Sequence, residues 1–196
     1  MPDSKAPYLR SPELLSRHES KLLIVDVQEK LVPMIAGVDR MLANCRMLLQ
    51  GAKILGVPAF VTEQYPKGLG KTVPQLAELL DPAAEKQLFS CAEVLDWGMA
   101  TTQPDNRYQI VVAGIEAHVC VLQTVLDLLG SGFQVYVAAD AVSSRDEFDR
   151  KIAFERISAG GATIVTTESV LFEWCERSGT PEFKQISQLI KERAQK

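Results

Sequence analysis

Histidine is scarce in this chain: His18 and His118 are the only two, too few for a metal site built mainly on imidazole. Cysteine is nearly as sparse. Cys45, Cys91, Cys120 and Cys175 are widely separated, form no Cys-x-x-Cys pair and have no histidine cluster beside them. That spacing argues against a disulfide framework and a structural zinc site, and reads as four free thiols in a reducing compartment. Positive charge is not in excess either, because 21 Lys and Arg stand against 25 Asp and Glu for a net charge of -4. The basic footprint that a phosphate backbone requires is missing, which argues against nucleic acid as a partner. No run of 18 residues is free of charged or strongly polar groups, and the first ten residues hold no apolar leader. The expectation is a cytoplasmic protein with no membrane partner.

What is present fits an ordinary globular chain. Hydrophobic residues make up 46% and charged residues 23%, which excludes the low-hydrophobicity signature of disorder. A chain of 196 residues corresponds to about one domain and buries about 70% of its extended surface without a disulfide or metal. With no linker rich in Pro, Gly or Ser and no internal repeat, a single domain over residues 1–196 is expected, with its core at about 20–175.

Short apolar runs alternate with longer amphipathic stretches, the pattern of repeated βα units on a buried parallel sheet. Six strands are predicted at 21–26, 58–62, 86–89, 109–115, 134–139 and 162–165, the third on the weakest pattern. Met41, Leu42, Cys45, Leu48, Leu49 and Ile54 recur at helical spacing and are followed by Gly56, predicting a helix over 38–55. Further helices are predicted at 119–129, a largely apolar and therefore buried segment, at 145–159, and at 181–193.

In open parallel sheets ligands bind beyond the carboxyl ends of the strands. Asp26, Lys86 and Cys120 fall at or just past three such ends. A thiol in the first turn of a helix feels the positive end of the macrodipole, and a nearby ammonium stabilises its thiolate further. A carboxylate closing an apolar strand is partly desolvated and suits a group that takes and returns a proton. Each residue also has a plain structural reading: a buried cysteine as a small hydrophobe, an Asp as a turn or cap residue, a Lys as a solvated surface group.

Three segments in register carry a resemblance: Leu-Ile-Val-Asp-Val-Gln at 23–28, Lys-Gln-Leu-Phe-Ser at 86–90, and Ala-Gly-Ile-Glu-Ala-His-Val-Cys-Val at 113–121. Together they resemble the isochorismatase-like cysteine hydrolase superfamily over about residues 20–175. The Thr-Glu-Gln-Tyr-Pro-Lys-Gly stretch at 62–68 is similar to that of its small isochorismatase-domain branch. The resemblance implies a three-layer α/β/α sandwich on a six-stranded, mostly parallel sheet. It also implies an Asp26, Lys86 and Cys120 triad: Cys120 attacks an amide or carbamoyl carbon, Asp26 moves the proton, and Lys86 balances the charge. A cis peptide at Ile115-Glu116, and an oxyanion hole from backbone N–H groups of Glu116 and Cys120, are implied as well. The metal-binding branch carries Asp-x-His after the second strand, where this chain has Glu63, Gln64 and Tyr65. The resemblance therefore implies neither a metal nor another cofactor.

Gln28, Tyr65, Phe89, Trp97 and His118 are expected around the pocket, with Leu95 nearby and His118 alternatively at a subunit contact. Cys45, Cys91 and Cys175 are read as structural. Gly68-Leu69-Gly70-Lys71-Thr72 imitates the end of a phosphate loop, but position 65 is Tyr rather than Gly. Glu116-Ala117-His118 lacks the His-x-Glu order and the Cys-x-x-Cys partner of a zinc deaminase. The expected function is hydrolysis of a C–N bond in a small molecule by a homo-oligomer. A non-catalytic scaffold and a thiol redox protein are the alternatives.

Overall fold

The computed structural model describes residues 8–194. The amino-terminal stretch read above for an apolar leader therefore lies outside the described residues as far as Pro7. Six strands, β1 (Ser20–Val25), β2 (Ala59–Gln64), β3 (Ala84–Lys86), β4 (Gln109–Ile115), β5 (Gln134–Ser143) and β6 (Thr163–Val165), form one sheet in the order β3-β2-β1-β4-β5-β6. Every neighbouring pair is parallel. The eight α-helices are α1 (Val38–Leu55), α2 (Pro66–Leu69), α3 (Pro74–Ala77), α4 (Ala92–Leu95), α5 (Leu122–Gly130), α6 (Glu147–Ala159), α7 (Thr167–Cys175) and α8 (Pro181–Ala194). One turn of π-helix, Ala117–Val121, leads into α5.

The layers follow from strand alternation, which sends successive side chains to opposite faces. Leu22 and Ile24 of β1, with Val111 and Ala113 of β4, meet Cys45 and Leu48 of α1, Leu171 and Trp174 of α7 and Ile186 of α8. Leu23, Val25, Ile110 and Val112 face the other way, onto Val125 and Leu128 of α5 and Ala153 and Ile157 of α6. Both central strands are buried at every residue, which is why Leu22 to Val25 and Ile110 to Ile115 read as apolar runs. The result is the expected three-layer sandwich. Strand order reverses at β1 and β4, so the crevice for a ligand opens between the carboxyl ends of those two strands.

Local chemistry sets the ends of the elements. Gly56, at φ 71°, closes α1 in the left-handed conformation that glycine adopts without penalty. Asp146 caps α6 by accepting from the N–H groups of Phe148 and Asp149, so this helix begins at Glu147 rather than at 145. The third strand ends at Lys86 instead of beginning there, and β2 runs on to Gln64. The helix expected over 119–129 is divided between the π-turn and α5.

Gly114 has a particular role. It sits at φ 117° where β4 passes β1, and a Cβ there would lie 2.2 Å from the carbonyl oxygen of Val25. Only glycine permits this approach, which brings the end of β4 against the strand that delivers Asp26. Gly114→Ala is expected to cost at least about 2 kcal/mol. Thermal unfolding of the variant should show a midpoint lower by at least about 4 °C.

Candidate functional site

Asp26 is the first residue past β1, at φ 50°, a left-handed conformation that Asp tolerates better than most non-glycine residues. Its N–H donates to the carbonyl of Thr62, and its Oδ1 accepts from the Thr62 hydroxyl at 2.8 Å. Lys86 Nζ lies 2.7 Å from Asp26 Oδ2, with both side chains fully buried. No directed hydrogen bond reaches Oδ2, because the ammonium aims its hydrogens at Gln64 Oε1 (2.7 Å), Phe89 O (2.9 Å) and Leu88 O (3.2 Å). The contact is thus Coulombic, and Oδ2 keeps a lone pair for a proton.

Cys120 enters from the π-turn, 7% exposed. Burial pushes its thiol well above the ordinary value. The Asp26 charge pushes it further, against the opposing pull of Lys86. The sequence argument that position alone would stabilise a thiolate is therefore corrected. The resting group is a neutral thiol, and the adjacent carboxylate is what can take its proton. Asp26, Lys86 and Cys120 come together from the ends of β1, β3 and β4.

The peptide between Ile115 and Glu116 is cis. Glu116 accepts from the Arg145 backbone N–H at 3.0 Å and from the Arg145 guanidinium at 2.6 Å. Burial raises this carboxyl, but the Arg145 bonds outweigh it and hold the group below the usual carboxylate range. The Glu116 side chain thus ties the segment between β4 and Cys120 to the start of α6. His118 is held at the same place, its Nδ1 3.0 Å from Ser144 Oγ and its Nε2 3.7 Å from Asp149.

The other expected pocket residues divide. Tyr65 is about half exposed, and its N–H donates to Lys86 O while its ring covers Gly68. Phe89, also about half exposed, lends its carbonyl to Lys86. Both flank the lysine. Gln28 is fully buried and clamps the main chain of Gln64 and Gly70, so it works on the scaffold and not at the surface of a pocket. Trp97 lies at the opposite end of the sheet. Its ring packs edge-on against Phe60 at 5.1 Å and against Phe133, which precedes β5, at 6.0 Å. Lys21, near the start of β1, sits 5.1 Å over the same ring. Leu95 packs into that apolar layer too. An apolar face needs aromatic filling as much as a crevice does, and the sequence contains no mark of which end of the sheet a loop residue reaches.

Thr62 and Gln64, beside the triad, carry no role in the sequence reading, and Cys91, read there as structural, lies beside it too. Period-two alternation along β2 puts Thr62 and Gln64 on one side of the sheet, and the register sets Gln64 directly beside Lys86. Cys91 Sγ lies 3.3 Å from Thr62 Oγ1. Because the single Thr62 hydrogen goes to Asp26, the Cys91 thiol is the donor in that contact. Burial, then the Asp26 charge, pushes this thiol up to about 11, so it stays protonated. Glu63 points away from the site and is occupied by Thr72 and Lys71.

Two outcomes follow. Thiolate absorbance of the native protein, minus that of Cys120→Ala, should show no Cys120 ionisation up to about pH 8, and Asp26→Asn should lower its midpoint by at least about 1 unit. Glu116 has its carboxyl lowered below the ordinary value of 4.5, so its contribution to stability is complete above that pH and lost as pH falls beneath it. Melting temperatures measured from pH 7 to pH 3 should therefore fall less steeply for Glu116→Gln than for the native chain.

Residues 20–169 match the Isochorismatase domain family. The chain is 39% identical over 183 residues to the secreted isochorismatase effector Isc1 of Phytophthora sojae, covering 89% of this chain and 86% of that protein. It is 40% identical over 177 residues to isochorismatase domain-containing protein 2 of Danio rerio, covering 90% and 89% of the two chains. Among solved structures, the MAR1 ribonuclease from Caenorhabditis elegans superposes with a TM-score of 0.82 at 38% identity, over 90% of this chain and 92% of that one. YcaC from Pseudomonas aeruginosa, solved with hexane-2,5-diol and covalent acrylamide, gives 0.78 at 22% identity over 95% and 100%. YcaC from Escherichia coli, described as an octameric hydrolase of unknown specificity, gives 0.80 at 23% identity over 94% and 92%, and these last two likenesses concern the fold. With its six parallel strands, reversal at β1 and β4 and matching domain, this chain belongs to the isochorismatase family and has its hydrolase fold.

Proposed function

We propose that this chain is a metal-independent cysteine hydrolase that cleaves a C–N bond of a small, uncharged amide or carbamoyl compound through a thioester at Cys120. One observation carries the reading: a buried thiol within electrostatic reach of a carboxylate whose charge is held in place by a fully buried ammonium. Nucleophile and base within hydrogen-bond reach, with a third group orienting the base, is the arrangement that covalent catalysis needs.

Cys120 Sγ bonds to the carbonyl carbon as its proton passes to Asp26, and the carbonyl electrons move to oxygen. Backbone N–H groups of Glu116 and Cys120 receive that oxyanion. The C–N bond then breaks, the nitrogen takes the proton from Asp26, and amine leaves. Water attacks the thioester, giving its proton to Asp26, and the C–S bond breaks. Cys120 recovers the proton and the carboxylic or carbamic acid departs.

An uncharged substrate is supported by the pairing of local charge: Asp26 with Lys86, and Glu116 with Arg145. Tyr65, Leu88 and Phe89, each about half exposed, supply an apolar rim. Ribonuclease is the description of the nematode relative. In this chain a polyanion would approach a molecule of net charge -4 whose buried lysine is already fully engaged. Assembly of identical copies belongs to the same proposal, supported by the exposed Phe148 and Ile152 on α6 and by the octamer described for YcaC.

The test is mass spectrometry after limited exposure to acrylamide, the adduct named for the Pseudomonas YcaC structure, with ammonia release assayed on a panel of primary amides. Cys120 should label ahead of Cys45, Cys91 and Cys175. Cys120→Ala and Asp26→Asn should each lower hydrolysis by about 1000-fold or more. Labelling of Cys120 no faster than of Cys45 would overturn the proposal in favour of a non-catalytic scaffold.

A further inference from the structure

Gln64 ends β2 beside Lys86, and both its backbone and its side chain are fixed by bonds that a surface glutamine does not make. Gln28, fully buried, reaches the Gln64 main chain at two points: its Nε2 donates to Gln64 O at 3.0 Å and its Oε1 accepts from Gln64 N–H at 2.8 Å. The same Nε2 donates to Gly70 O at 2.7 Å, anchoring the clamp to the chain beyond α2. The Gln64 side chain then divides its amide. Nε2 donates to Gln87 O at 2.7 Å, which turns Oε1 toward Lys86 Nζ, also at 2.7 Å.

Lys86 has four oxygen neighbours, and three of them are neutral: Gln64 Oε1, Leu88 O and Phe89 O. The fourth is the Asp26 carboxylate. While Asp26 is ionised, the buried ammonium has its countercharge. When Asp26 takes the Cys120 proton the negative charge passes to the sulfur and then to the substrate oxygen, and the ammonium at zero exposure, having lost its contact anion, depends more on the neutral dipoles around it. Leu88 and Phe89 offer backbone carbonyls that any sequence could provide. Gln64 is the side chain among the three, and its chemistry is specific. A carboxylate at this position would form its own ion pair with Lys86 and place a second negative charge beside the thiol.

We infer that Gln64 is a positioning residue of the reaction: its amide, set by Gln28 and Gln87, holds the Lys86 ammonium against Asp26 through the step in which the carboxylate takes the thiol proton. The inference rests on the cysteine-hydrolase reading and extends it to residues that touch no substrate. Gln28 acts one step further out, through the Gln64 backbone.

Acrylamide labelling of Cys120 as a function of pH, followed by mass spectrometry in Gln64→Met, Gln28→Met, Lys86→Met and the Gln64→Met/Lys86→Met pair, tests this. Circular dichroism of each variant establishes that it is folded. Gln64→Met should slow labelling near pH 7 by about tenfold or more, the scale of a lost hydrogen bond to a charged group, and move the pH midpoint upward. Gln28→Met should shift the profile in the same direction by less. On a Lys86→Met background, Gln64→Met should change labelling little, since the group it acts through is gone. A folded Gln64→Met with the native pH profile, or an effect that adds fully to that of Lys86→Met, would overturn the inference while a reactive native Cys120 left the hydrolase reading standing. Native Cys120 labelling no faster than Cys45 would overturn both.

Discussion

The ion pair between Asp26 and Lys86 is the constraint around which this end of the molecule is arranged. Two opposite charges at zero exposure gain Coulombic energy from each other but lose the water that each would otherwise keep. Such a pair persists only where further dipoles satisfy what the partner leaves over, and removing one member typically costs on the order of 3–5 kcal/mol. Several polar side chains near the carboxyl ends of β1, β2 and β3 are engaged in that task. Thr62 serves Asp26, Gln64 and two carbonyls serve Lys86, and Gln28 serves Gln64. Cys91 completes the row behind Thr62.

The same constraint explains why Cys120 rests as a thiol. A carboxylate close enough to be a base also repels the anion that it would help to make. Lys86 offsets part of this, and burial adds to it. The arrangement exchanges a permanently reactive sulfur for one whose proton leaves as its bond to carbon forms.

Much of the fold could be read from the residues alone. β1 from Leu22 and β4 from Ile110 are apolar and buried throughout, and the helical spacing from Met41 to Ile54 belongs to a helix that packs on the sheet. What could not be read depends on register and on loop course. β3 contains only Ala84, Glu85 and Lys86, so it has no apolar run to announce it, and its limits come from pairing with Thr62, Glu63 and Gln64. Trp97 was assigned to the crevice by proximity in sequence to the lysine motif, yet it fills the apolar layer at the other end of the sheet. Gln28 stands in a motif that suggests a contact residue, whereas its amide holds main chain. In each case side-chain type was compatible with two environments, and only three-dimensional placement chose between them.

The strand order also bears on how the chain reaches this state. β1 lies at the centre of the sheet, but its partner on one side, β4, is distant in sequence: Ser20 and Gln109 are 89 residues apart. Contacts of that span require a large loop to close before they return any energy, and folding rates fall as such contacts come to dominate. Newly made β1 and β2 can pair with each other, but the fully buried β1 has one unfilled side until β4 has been synthesised. Asp26 and Lys86 can be brought together by β1, β2 and β3 alone, whereas Cys120 joins them only once β4 has docked on β1, so a chain without that pairing does not hold the reactive group in working order.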